Sequence, residues 1–208
     1  AQFPHDVLDP VVRWRTTPSG YGPLFTAYSA GATRLAGDSL VALRLAFQGV
    51  AAAAVICCLG VLHRAGRTRA LVLIALAPFV WIALVNGGHN DALVGAAVLG
   101  AAVAFDRRRW AWAGVLITCA GMIKLPGLVV AGPFLAILLT HRRWRDAAVL
   151  AAASVAAVAT SLVLLPASLS NASTATRDRI SRASIWRPVQ ILSGLPGAVL
   201  TAAAMVLV

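Results

Sequence analysis

Six consecutive residues, Asn86-Gly87-Gly88-His89-Asn90-Asp91, set two carboxamides, an imidazole and a carboxylate side by side among apolar runs. Such groups at membrane depth are costly unless they serve a site: the carboxylate can take a proton, and its neighbours can donate and accept hydrogen bonds. Lys124 is the only lysine of the chain and is flanked by Ile123, Leu125 and Pro126. It can hold an anionic phosphate or snorkel to the headgroups. Between Pro166 and Pro188, Arg177, Arg179, Arg182 and Arg187 stand against one acid, Asp178. That loop reads either as a solvated segment or as a basic rim that grips phosphate through guanidinium groups. Simpler roles compete at the first motif. Asn86, Asn90 or Asp91 can cap a helix, and Gly87-Gly88 can merely permit a tight turn. Capping covers one or two positions and leaves His89 over. The Asp and His residues show no metal-ligand spacing, so neither a metal nor a cofactor is expected.

These residues need a frame, and composition says which. With 60% hydrophobic residues, 12% charged and a mean hydropathy of +0.82, the chain carries more apolar surface than one soluble core can bury. An integral, all-α membrane protein is expected. The opening AQFPHDVLDP has no Met, basic n-region or apolar h-region, and Val189–Val208 closes the chain on an apolar run, so a piece of a longer membrane protein is expected. The net charge of +11 does not indicate nucleic acid, because the basic residues lie in short clusters between apolar runs. Cys57, Cys58 and Cys119 sit inside apolar runs and read as small buried hydrophobes.

The runs divide the chain into an outer loop over 1–23, a helical bundle over 24–165, a second outer loop over 166–188 and a last helix over 189–208, one membrane domain of about seven transmembrane segments. Leu24–Ala36 is too short to span and reads as re-entrant or interfacial; Leu45–Leu62, Ala70–Val85 and Ala147–Leu165 read as spans. HRAGRTR (63–69), DRRR (106–109) and HRRWR (141–145) belong on one side, which is cytoplasmic by the positive-inside rule, and Trp110, Trp112 and Trp144 flank them as an aromatic belt would. Everything else polar falls on the opposite face. A crossing takes about 20 helical residues. Ala92–Phe105 is shorter, so its helix should begin within the Asn86–Asp91 motif. Trp110–Thr140 is too long for one pass and reads as two short helices meeting near Lys124, with Pro126 and Gly127 breaking the helix.

The segments DPVVRWRTTPSGYGPLF, NGGHNDALVGAAVLG and GMIKLPGLVVAGPFL stand in this order between Asp9 and about residue 135. Together they resemble the polyprenyl-phosphate-mannose-dependent α-1,6-mannosyltransferases of the C-type glycosyltransferase superfamily, multi-spanning enzymes of actinobacterial lipomannan synthesis. The last third of the chain is similar only in hydropathy. The resemblance implies a plasma-membrane enzyme that moves mannose, with inversion, from a polyprenyl-phosphate donor to a glycan acceptor at the outer face. It implies larger relatives with a key acid in the first outer loop. Such a transfer needs a carboxylate to take the acceptor proton and cations to receive the departing phosphate. Asp9 or Asp91 is expected to handle the proton, and His89 and Asn90 to hydrogen-bond sugar or phosphate. Lys124 and Arg187 are expected to hold phosphate, and Tyr21 and Trp14 to stack on a sugar face. A transporter or flippase of lipid-linked sugars is the rival reading, since carriers also use short broken helices with polar ends. A carrier, however, needs polar residues reachable from both faces, and here they gather on one.

Overall fold

A computed structural model of the chain describes residues 21–164, which belong to one compact unit. Among the described residues every regular element is helical. Helix α1 (Pro23–Ala36) opens with proline at a position where its missing N–H costs nothing. Its hydroxyls turn back on its own backbone, Thr26 to Gly22 O, Ser29 to Phe25 O and Thr33 to Ser29 O, so they expose no unmet donor. Helix α2 (Leu40–Arg64) starts at a Ser39 cap whose Oγ accepts from the Ala42 N–H at 3.2 Å. With 25 residues, it is the one helix among those described that is by itself long and apolar enough to cross a bilayer.

The run Ala70–Val85, expected as a single span, is broken in two. Helix α3 (Thr68–Leu76) stops where Ala77 turns extended ahead of Pro78, as proline demands of the residue before it. A π-helical stretch, Val80–Val85, follows, and the Trp81 indole N–H donates to the Ala75 carbonyl across the break at 2.7 Å. Helix α4 (Asp91–Asp106) does begin inside the polar motif, at its last residue. Helix α5 (Trp110–Ile123) ends at Lys124, whose backbone is extended, and a 3₁₀ turn over Leu125–Val130 leads into α6 (Ala131–Thr140). This is the expected pair of short helices, with Pro126 near the start of the 3₁₀ turn. Helix α7 (Trp144–Leu164) closes the described part. Residues 1–20 and those after 164, including most of the expected first outer loop and all of the expected loop 166–188 and last helix, lie outside it.

Small residues bring these helices together. One core gathers Ala101, Ala104, Ala113, Ile117, Leu138, Ala147 and Leu150 from α4, α5, α6 and α7; a second gathers Ala51, Ala54, Val55 and Ala92 between α2 and α4. Alanines at crossings let backbones approach closely and gain dispersion where burial of apolar area offers little drive, as in lipid. Between α5 and α7 the contact is close enough for Ser154 Oγ to donate to Gly114 O at 3.1 Å and for Thr118 Oγ1 to reach Ser154 O at 3.3 Å. The consequence is a bundle with two unlike ends. The turns α2–α3, α4–α5 and α6–α7 carry the arginine clusters, while the start of α4, the end of α5 and the start of α1 meet at the other.

Candidate functional site

The polar end is assembled from four stretches distant in sequence. Lys124 Nζ lies 2.7 Å from Asp91 Oδ1, joining the end of α5 to the first residue of α4. The lysine side chain is 37% exposed and the carboxylate 46%, so water screens the pair and it contributes little to stability. Its value lies in placement: a cation and a carboxylate stand together at the surface of the polar end. Asp91 also occupies the first turn of α4, where a carboxylate complements the helix dipole.

Asn90 lies one residue upstream and is 4% exposed. It stands at the cap position of α4 but with helical backbone, and its side chain makes no capping bond. Its Nδ2 is buried without a hydrogen-bond partner. A buried amide donor left unmet costs about 1–3 kcal/mol, so this group marks a place where a ligand or a water oxygen would be gained. His89 is exposed, and the edge of its imidazole lies against Gly87. The chain reaches that point through Gly88, whose φ of +61° is left-handed and would strain any side chain; the Gly88 and His89 N–H groups close the turn on Val85 O and Leu84 O at 3.0 and 2.9 Å.

Asn86 stabilises the turn from outside. Its Oδ1 accepts from Arg44 at 3.2 Å and from Gln48 at 3.1 Å, and its carbonyl accepts from Gln48 Nε2 at 2.7 Å. Asn86 is therefore a docking point for α2 rather than a cap. Arg44 and Gln48 are the two positions that sequence reasoning does not place at this site. The signal for them was faint: one turn apart at the start of an apolar helix, they share a face.

Tyr21-Gly22-Pro23 completes the end. Gly22 N–H donates to Ile123 O at 3.0 Å, and a side chain at position 22 would run into the Met122 carbonyl. Only glycine lets the two backbones meet there, which ties the start of α1 to the end of α5. The Tyr21 ring is partly exposed and meets Phe25 edge-on at 5.1 Å; Phe25, Tyr28 and Phe47 continue the aromatic cluster into the α1–α2 interface. Tyr28 donates to Ala46 O at 2.7 Å, and burial lifts its phenol above the usual range, so it stays a donor.

The structure thus brings Asp91, Asn90, Lys124 and Tyr21 to one end, with His89 on the adjoining loop facing solvent. Asp9, Trp14 and Arg187 lie outside the described residues. No group of three or more His, Cys, Asp or Glu side chains able to hold a metal occurs among the described residues.

Comparison with known proteins points one way. Residues 2–141 match the family model described as alpha-(1->6)-mannopyranosyltransferase, N-terminal domain. The chain is 32% identical over 139 residues to alpha-(1->6)-mannopyranosyltransferase B of Corynebacterium glutamicum, an alignment that covers 57% of this chain and 23% of that protein. No solved structure matches.

Proposed function

The chain belongs to the alpha-(1->6)-mannopyranosyltransferase family, and from that premise we propose that it forms part of a multi-pass membrane enzyme that transfers mannose from a polyprenyl-phosphate donor to a glycan acceptor. The observation that carries this reading is the Lys124–Asp91 pair at 2.7 Å, which joins the two chemically useful motifs in a partly exposed site. In the proposed reaction the acceptor oxygen attacks the anomeric carbon as the bond to the lipid phosphate breaks, and a single displacement inverts that carbon. Lys124 offsets the charge gathering on the departing phosphate, and Asp91 takes the acceptor proton. The incoming phosphate competes with Asp91 for the ammonium, so donor binding frees the carboxylate. Asn90 supplies its unmet N–H to the sugar or phosphate, His89 contacts the acceptor from the loop, and Tyr21 packs on a sugar face. For Asp9, Trp14 and Arg187, outside the described residues, the roles proposed are second carboxylate, aromatic platform and phosphate ligand.

Membrane embedding is supported by the length and hydropathy of α2 and by the exposure of Leu35, Ile56, Leu73 and Val155, which in water would form a large apolar surface. We take α3 with the π-helix, α4, and α5 with α6 as shorter passes among about seven. The turns bearing arginine would then face the cytoplasm and the polar end the outer side. The test is transfer from a labelled polyprenyl-phosphate-mannose donor by membranes holding the full-length protein. Lys124→Ala and Asp91→Asn are each expected to lower turnover by roughly 10²–10³-fold, as loss of a group that stabilises developing charge does. His89→Ala should lower it less. Full activity in all three variants would remove the site from consideration.

A further inference from the structure

At the arginine-bearing end, a cleft of about 210 Å³ opens between the last turns of α4 and the first turns of α5. Gly100, Val103 and Ala104 of α4 and Leu116 of α5 line it, with Arg107, Arg109 and Trp112 beside them. The helix periods explain the arrangement: positions 100, 103, 104 and 107 share one face of α4, and 112 and 116 share one face of α5. Gly100 keeps the trough open, since a side chain there would begin to meet the Leu116 methyls at 3.3 Å. Arg108 between the two lining arginines has φ +56° and reverses the chain so tightly that both flanking residues lie along the same cleft.

Among the described residues, neither of the two guanidinium groups has a hydrogen-bond or ion-pair partner. Arg143 from the neighbouring turn is held by Asp146 at 2.6 Å and lies over the Trp110 ring at 4.7 Å. Arg107 and Arg109 have no such partner among the described residues, and the adjacent Asp106 does not line the cleft. An apolar trough ending in two cations, with a half-exposed indole at its side, matches one kind of molecule better than others. A free phosphate would gain nothing from Gly100, Val103 and Leu116. A hydrocarbon chain would gain nothing from the arginines.

We infer that this cleft binds an anionic phospholipid of the surrounding bilayer, its phosphodiester between Arg107 and Arg109 and the start of one acyl chain in the trough over Gly100. The inference rests on the membrane reading above but not on the transfer reaction, which lies at the other end. The experiment uses the full-length protein. Alkaline extraction of membranes first shows whether it is integral; release into the soluble fraction would overturn the membrane reading and the lipid site with it. The protein is then purified from bilayers of phosphatidylglycerol and phosphatidylcholine in equal parts, and retained lipid is counted by native mass spectrometry. Wild type should keep phosphatidylglycerol over phosphatidylcholine. The double variant Arg107→Ala/Arg109→Ala should reduce that retention roughly tenfold or more, since each basic contact at a membrane surface is worth about 1 kcal/mol, and the trough-filling Gly100→Leu should reduce it by taking the space of the acyl chain. Arg64→Ala/Arg67→Ala, which removes the same charge from a turn without this cleft, should leave it unchanged. Equal loss in both arginine pairs would reduce the effect to general surface charge. Unchanged retention in Gly100→Leu, or displacement of the lipid by inorganic phosphate alone, would also overturn the site.

Discussion

The two ends of this bundle are built on opposite principles. At the arginine-bearing end each turn is closed by its own backbone. Gly66 and Arg67 bond back to His63 O and Leu62 O, Arg108 and Arg109 to Phe105 O and Ala104 O, and Arg142 and Arg143 to Leu139 O and Leu138 O. One local motif, with a left-handed residue at its centre, closes all three, and it recurs once at the polar end, where Gly88 and His89 bond back to Val85 O and Leu84 O. Beyond that one turn, the polar end is held by contacts between elements. Its links join Lys124 to Asp91, Arg44 and Gln48 to Asn86, and Gly22 to Ile123. A local turn survives displacement of its neighbours, whereas a site made of cross-element contacts exists only while the helices keep their register. The proposed site sits where the contacts are long-range, because a cation and a carboxylate cannot be brought from separate motifs in any other way.

That contrast is broken most sharply at Gly22. Gly22→Val puts a branched side chain against the Met122 carbonyl and removes the geometry of the 3.0 Å bond to Ile123 O, with no flexible side-chain tip that can give way. Overpacking of this kind costs about 1–3 kcal/mol. The full-length protein in detergent should lose several degrees of thermal stability, and transfer activity should fall further than stability alone accounts for, since the start of α1 then parts from the end of α5. Unaltered activity would mean that the link between the two motifs is incidental. A smaller effect is expected at Asn86. Asn86→Ala deletes the acceptor of Arg44 and Gln48 and should cost about 1 kcal/mol for these part-exposed bonds. Gln48→Ala should cost a similar amount, and the double variant should cost less than the sum of the two, as coupled partners do. Strict additivity, measured by denaturant unfolding, would show that α2 is not docked through this residue.

How much of this could be read beforehand follows the same division. The three basic turns were visible as clusters of arginine between apolar runs, because their structure is written in adjacent residues. The start of α4 inside the Asn86–Asp91 motif and the break at Lys124 came from length arithmetic, which needs only the bilayer's thickness and the helix rise. That Lys124 would share a site with the Asn86–Asp91 motif was likewise expected. The break at Ala77-Pro78 was passed over because the apolar run continues through it; the backbone rule for residues before proline outweighs hydropathy there. The partners of Asn86 were hidden for another reason. Arg44 has several plausible uses at a helix end, and only the packing of α2 against the π-helix selects one.

The smallest expected effect tests the other side of the comparison, the autonomy of the basic turns. Arg142 holds φ +57° where the equivalent turn after α2 has Gly66 at +65°. A residue with a Cβ pays roughly 1 kcal/mol to sit in the left-handed region, and glycine escapes that cost but loses more entropy on folding. Arg142→Gly should therefore shift stability by no more than about 1 kcal/mol, toward stabilisation if relief of strain outweighs the added freedom of the unfolded chain. It should leave transfer untouched, because the turn closes through the N–H groups of residues 142 and 143, which the substitution keeps. Urea unfolding of wild type and variant, read beside the transfer assay, separates the two quantities. A loss of activity from this exchange would mean that the arginine-bearing end communicates with the polar end through the helices between them, and that the local turns are less independent than their hydrogen bonds indicate.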